Sequence, residues 1–154
     1  MKWLVFFSTS MLLGMTLTLH HHQQIKDEDW GYVDVRDKAH MFWWFYGAEN
    51  VSERSNLPLI LWLQGGPGGS GAGFGNFMEI GPVDMKMQPR KTAWTKKANL
   101  LFIDNPVGAG FSYVDDEIAF TTNVTEIAED LFVVFSAFMN KIFCVFRDSL
   151  LHLL

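Results

Sequence analysis

Five glycines fall within residues 65 to 71 (GGPGGSG), directly after the apolar run Leu57 to Leu63. Glycines that follow a strand let the backbone turn sharply and approach a ligand without interference from a Cβ. Two chemistries use that arrangement. Acyl transfer needs backbone N–H groups aimed at the oxygen that becomes negative in the tetrahedral intermediate, and losing one such donor costs roughly 2.7–4 kcal/mol of transition-state stabilisation. Dinucleotide binding needs Gly-x-Gly-x-x-Gly opening a helix whose N-terminus faces pyrophosphate. Gly66-Pro67-Gly68-Gly69-Ser70-Gly71 satisfies that spacing too. However, three further glycines interrupt residues 72 to 81, and no strand ending in an acid follows at the required distance. Acyl transfer is the better reading, and a nucleotide-binding domain is the remote alternative.

An acyl-transfer site also needs a nucleophile and a base. Gly68-Gly69-Ser70-Gly71-Ala72 approaches the Gly-x-Ser-x-Gly elbow, but that motif belongs on its own strand-to-helix turn. Ser70 sits instead in the glycine loop and is not expected to attack. Ser112, in Gly110-Phe111-Ser112-Tyr113-Val114, also lacks an elbow. His40 and His152 are the only histidines outside the tract His20 to His22, and both read as core or surface residues. The tract reads as a polar flank rather than a metal site, and the single Cys144 excludes a disulfide framework and a cysteine-rich zinc centre. No metal and no cofactor are expected.

These residues have to be held by the rest of a 154-residue chain, long enough for one domain with a real core. Apolar residues make up 49% and charged residues 19%, a globular composition, and the net charge of −5 provides no basic footprint for nucleic acid. Residues 1–22 read as a signal peptide and its flank: Lys2 is followed by an apolar stretch from Trp3 to Leu19, short for a membrane span. The sequons Asn50-Val51-Ser52 and Asn123-Val124-Thr125 agree with passage through the secretory pathway, to a secreted or lysosomal/vacuolar destination.

Trp30 to Arg36 alternates large and polar residues, and Ala39 to Tyr46 is dense in aromatics. The two are expected to form a hairpin through Asp37-Lys38, with the aromatics on a half-buried surface. Leu57 to Leu63 reads as a strand buried on both faces of a parallel sheet, and Asn99 to Ile103 as a second short buried strand. Residues 65 to 75 read as loop, and Val83 to Lys97 as irregular surface. From Val124 the apolar spacing becomes helical through Ile127, Leu131, Phe135, Phe138 and Ile142, with Asn123 and Glu126 forming a variant capping box. The helix is expected to span 123 to about 143, residues 23–143 to form a partial domain, and 144–154 to be a divergent apolar tail.

Three blocks in order carry a resemblance. Trp62 to Ser70, then Glu79-Ile80-Gly81-Pro82, then Asp104 to Tyr113 (DNPVGAGFSY) resemble the serine carboxypeptidases, an α/β-hydrolase family, over about residues 30 to 140. Gly69, where most of the family has Cys, and Phe74-Gly75-Asn76-Phe77 point to one subgroup. The implied fold class is α/β, the N-terminal part of an α/β-hydrolase sheet: a hairpin, two buried strands and a long C-terminal helix, incomplete.

The resemblance implies that the Gly66 N–H is an oxyanion donor, and that Gln64 (usually Asn), the Gly65 N–H and Glu79 hold the C-terminal carboxylate of a peptide. A glutamate can face a carboxylate only if one of the two is protonated, so binding is expected to favour acidic pH. The Asp104–Tyr113 block is expected to be structural. In the family the nucleophile strand follows the long helix, and the triad aspartate and histidine come later still; none has a match here. The expectation is a truncated serine carboxypeptidase that cannot hydrolyse peptides alone, the alternative being a non-catalytic secreted binding or dominant-negative fragment. Without its neighbour, strand 57–63 would present an unpaired edge that invites self-association or chaperone retention.

Overall fold

The computed structural model describes residues 27–52 and 54–150, with side chains as far as Ile142. The expected signal segment and the sequence beyond Leu150 lie outside the described residues. Among the described residues no helix is long and apolar enough to cross a membrane. β1 (Glu28–Arg36) and β2 (Ala39–Tyr46) form the expected antiparallel hairpin, turning at Asp37-Lys38, where Lys38 takes φ 59°. β3 (Leu59–Leu63) and β4 (Asn99–Ile103) are parallel neighbours, and the short β5 (Tyr113–Val114) pairs antiparallel with the start of β2. The sheet order is β1-β2-β4-β3. The crossover from β3 to β4 brings the glycine loop and Glu79 to one face, and helix α1 (Val124–Leu150) covers the other.

Period-2 alternation explains how one aromatic run serves both faces. Met41, Trp43 and Phe45 of β2 join Leu101 and Ile103 of β4 in the layer under α1, where Val134 and Phe138 fill the gap. Phe42 and Tyr46 join Leu100 and Phe102 on the opposite face with Ala72 and Ile80. β2 is therefore buried on both faces rather than half-buried, because it is an interior strand between β1 and β4. β4 is buried throughout, as expected. β3 departs from expectation: all its residues remain at least partly exposed, because it pairs with β4 on one side and with no described strand on the other.

Two helical segments also differ from the sequence reading. Residues Gly71–Ile80, read as glycine-broken loop, form a wide helix with i→i+5 bonds, including Gly75 N–H to Ser70 O and Gly81 N–H to Asn76 O. α1 starts where predicted but runs on to Leu150. Asn123 caps it through Oδ1, 2.9 Å from the Glu126 N–H, while Glu126 Oε2 accepts from the Thr122 N–H rather than from that of Asn123. Arg36 of β1 fastens α1 to the sheet through a two-pronged contact with the buried Asp130, at 2.8 and 3.0 Å.

Candidate functional site

The glycine loop leaves the C-terminal end of β3, and β4 ends beside it at Asp104. Asp104 is wholly buried. Its Oδ1 accepts from the Ser70 hydroxyl at 2.8 Å and the Ala72 N–H at 2.9 Å, and its Oδ2 accepts from the Phe111 N–H at 2.8 Å. Leaving a buried carboxylate unpaired would cost several kcal/mol; here three donors, from two segments far apart in sequence, compensate it. Gly110 makes the arrangement sterically feasible: at φ 53°, any Cβ would collide with the Asp104 carboxylate and the Ser70 hydroxyl. The Asp104 carbonyl accepts from the Ser112 hydroxyl at 2.6 Å, and Ser112 Oγ accepts from the Phe42 N–H at 2.8 Å. Thus the Asp104–Tyr113 block ties the sheet to the glycine loop.

Ser70 is the cap of the wide helix. Its Oγ accepts from the Gly73 N–H at 2.7 Å while its hydroxyl donates to Asp104, and no histidine among the described residues bonds it. The same contacts count against the nucleotide alternative. A helix does open inside the loop, contrary to the sequence reading, but its first N–H groups are taken by Ser70 and by a buried carboxylate. The Ala72 and Gly73 N–H groups are therefore not available to a pyrophosphate at the helix start.

The loop residues ahead of Ser70 are differently disposed. Gly66 takes φ 138°, and Gly65 and Gly66 are both exposed. Among the described residues neither N–H donates a hydrogen bond, while the Gly65 carbonyl accepts from the Gly69 N–H and closes the turn. Gln64 is oriented by Trp62, whose indole N–H donates to Gln64 Oε1 at 2.9 Å. With its oxygen so held, the Gln64 amide nitrogen is left as the group able to donate outward. Trp62 and Gln64 lie against Gly75, where a Cβ would strike the indole, so the loop packs directly on the wide helix.

Glu79 is one turn further along that helix. Its Oε2 is buried and has no hydrogen-bond partner among the described residues. A buried, unmatched carboxylate oxygen is costly unless something donates to it. On the same helix, Gly73, Phe74, Phe77 and Met78, with Met85 and Met87, line an apolar concavity of about 400 Å³.

Gln64, Gly65, Gly66 and Glu79 thus all belong to the β3 end and the helix that follows it, on one side of the sheet. His40 is remote in character, held by surface carboxylates of the hairpin and β5; His152 lies outside the described residues. Sequence reading missed Asp104 and Ser70 as the pair that fixes the loop, and Trp62 as the group that orients Gln64. Only the aspartate that ends a buried strand could have hinted at the first. No grouping of His, Cys, Asp and Glu among the described residues could hold a metal ion.

A family model described as serine carboxypeptidase matches residues 20–153. The retinoid-inducible serine carboxypeptidase of Rattus norvegicus is 47% identical over 139 residues, covering 90% of this chain and 31% of the relative. Serine carboxypeptidase-like 51 of Arabidopsis thaliana is 50% identical over 118 residues, covering 74% of this chain and 26% of the relative. Among solved structures, a prohormone-processing carboxypeptidase from Saccharomyces cerevisiae superimposes with a TM-score of 0.61 at 27% identity, covering 78% of this chain and 28% of that one. The subgroup signalled by Gly69 and by Phe74 to Phe77 is the retinoid-inducible one. The chain spans under a third of the length of these relatives.

Proposed function

Since this chain belongs to the serine carboxypeptidase family, we propose that its 154 residues form the substrate-gripping part of a peptide C-terminal hydrolase, without the triad that completes the reaction. The observation that carries this reading is the pair of exposed, unpartnered N–H groups of Gly65 and Gly66 on a loop anchored by Asp104. Gly66 N–H is one oxyanion donor; Gly65 N–H, the Gln64 amide and Glu79 receive the peptide's terminal carboxylate. The buried, unpartnered Glu79 oxygen supports a proton shared between two carboxyl groups, which forms a strong hydrogen bond only when the pair holds one proton.

No Gly-x-Ser-x-Gly elbow occurs in the sequence, and Ser70 is committed to capping and to Asp104. The chain alone therefore binds peptide ends without cutting them. A serine-directed fluorophosphonate is the direct check: it should leave the purified chain unlabelled, whereas labelling abolished by Ser70→Ala would defeat the proposal.

We also assign the protein to the secretory pathway, secreted or lysosomal/vacuolar, on its apolar N-terminal segment and its sequons. Asn50 and Asn123 are both exposed, as glycan acceptors must be. The unpaired edge of β3 makes self-association or chaperone retention the expected behaviour of the isolated chain.

A further inference from the structure

Away from the peptide site, one side chain is held in a way that only one of its protonation states can satisfy. His40 lies on β2 beside the short strand β5, and its ring sits between two carboxylates. Nδ1 is 2.6 Å from Asp34 Oδ1 on β1, and Nε2 is 3.0 Å from Asp115 Oδ2, one residue past β5. A neutral imidazole has one N–H and one lone pair, so one of these contacts would set a lone pair against a carboxylate oxygen. The imidazolium donates to both. The Tyr113 ring stacks on the imidazole with centroids 4.6 Å apart and planes at 25°, an arrangement that favours a cation.

We propose that His40 is a pH-dependent pin that holds the segment 113–116 against the β-hairpin in acid and loosens it as the pH rises. Phe111 and Ser112 are fixed by Asp104 and Phe42, but beyond them the segment has little else to hold it. β5 contributes only the pairs Ala39 with Val114 and His40 with Tyr113, followed by the Asp115 N–H to Lys38 O bond at 2.9 Å. Lys38 Nζ adds an exposed pair with Asp116 at 3.2 Å, which salt screens. Tyr32 donates to the Phe111 carbonyl at 3.1 Å. The charged and titratable groups around the ring are accordingly Asp34 from β1, Tyr113 and Asp115 from the β5 side, and the Lys38–Asp116 pair across the turn.

The sign follows from the contacts. The hydrogen bond to Asp34, then that to Asp115, raises the His40 pKa above the ordinary 6.5. The stabilisation is therefore fully present below about 6.5, the unfolded value, and is lost as the pH rises through the raised folded value. A protein passing from a neutral to an acidic compartment would tighten this face on acidification. The two carboxylates approach opposite ring nitrogens, so the trio cannot converge on a single metal ion, and the pin is a proton device.

Nuclear magnetic resonance of the full chain tests this without any peptide, so its failure is separate from failure of the peptide site. The His40 ring protons should titrate above the ordinary imidazole value. The protection factor of the Asp115 amide should fall several-fold as the pH passes through that midpoint, and His40→Gln should abolish this fall. If His40→Gln does not fold, Asp115→Asn serves, and it should move the His40 midpoint downward. Titration of His40 at or below the ordinary value, or the same pH profile in His40→Gln or an unmoved midpoint in Asp115→Asn, would overturn the proposal.

Discussion

Asp104 illustrates how one buried residue positions a loop it does not belong to. Its carboxylate gathers the Ser70 hydroxyl, the Ala72 N–H and the Phe111 N–H, so the end of the glycine loop is fixed relative to β4. Asp104→Asn keeps the shape but turns an NH₂ toward at least one of these donors. It should destabilise the fold by about 1–3 kcal/mol, the cost of an unsatisfied buried donor. Ser70→Ala should cost about 1 kcal/mol, typical of a lost helix cap. Urea denaturation at one pH measures both. A neutral Asp104→Asn would mean that the loop is held by other contacts. None of this was legible in the sequence, because Ser70 and Asp104 are 34 residues apart and neither belongs to a local pattern that names the other. The roles proposed for Gln64, Gly66 and Glu79 come from block resemblance; by residue type alone Glu79 reads as an ordinary surface acid.

At the scale of elements, the hairpin, β4 and the start of α1 were plain because their signals are local: period-2 alternation, a short turn, helical spacing and an Asn cap. The wide helix Gly71–Ile80 was not. Its glycines are poor helix formers, yet Gly75 is small to admit Trp62 and Gln64, and the first turn is capped by groups supplied largely from elsewhere in the chain. Tertiary packing overrode local propensity. The two faces of α1 give a paired test. Phe138 is buried against Trp43 and Phe45, with ring centroids at 5.3 and 5.5 Å, so Phe138→Ala should cost roughly 3–5 kcal/mol. Phe132 is 70% exposed, so Phe132→Ala should stay within about 0.5 kcal/mol of the parent. Thermal denaturation that ranks the two the other way would mean that α1 lies on its opposite face.

For the whole molecule, the consequence of the topology among the described residues is an interior strand at β2 and an open edge at β3. Burial on both faces was expected at β3 because its sequence is uniformly apolar. Composition tells how apolar a strand is, but not whether a neighbour is there to cover it. The edge predicts concentration-dependent association by sedimentation velocity, and Leu63→Lys at its exposed end should weaken it, since a charge on an edge strand opposes strand pairing. Equal association of the parent and Leu63→Lys would move the contact elsewhere.

The central claim, that the loop and the wide helix grip a peptide's terminal carboxylate, is tested most directly by amide chemical shifts. A tripeptide ending in a free carboxylate should move the resonances of the Gln64 side chain, Gly65 and Gly66 at about pH 5 and do so much less near pH 8, a difference that Glu79→Gln should erase by supplying a permanent donor. The same peptide as its C-terminal amide should leave those resonances in place. Equal shifts with acid and amide, or shifts confined to other parts of the molecule, would contradict the account.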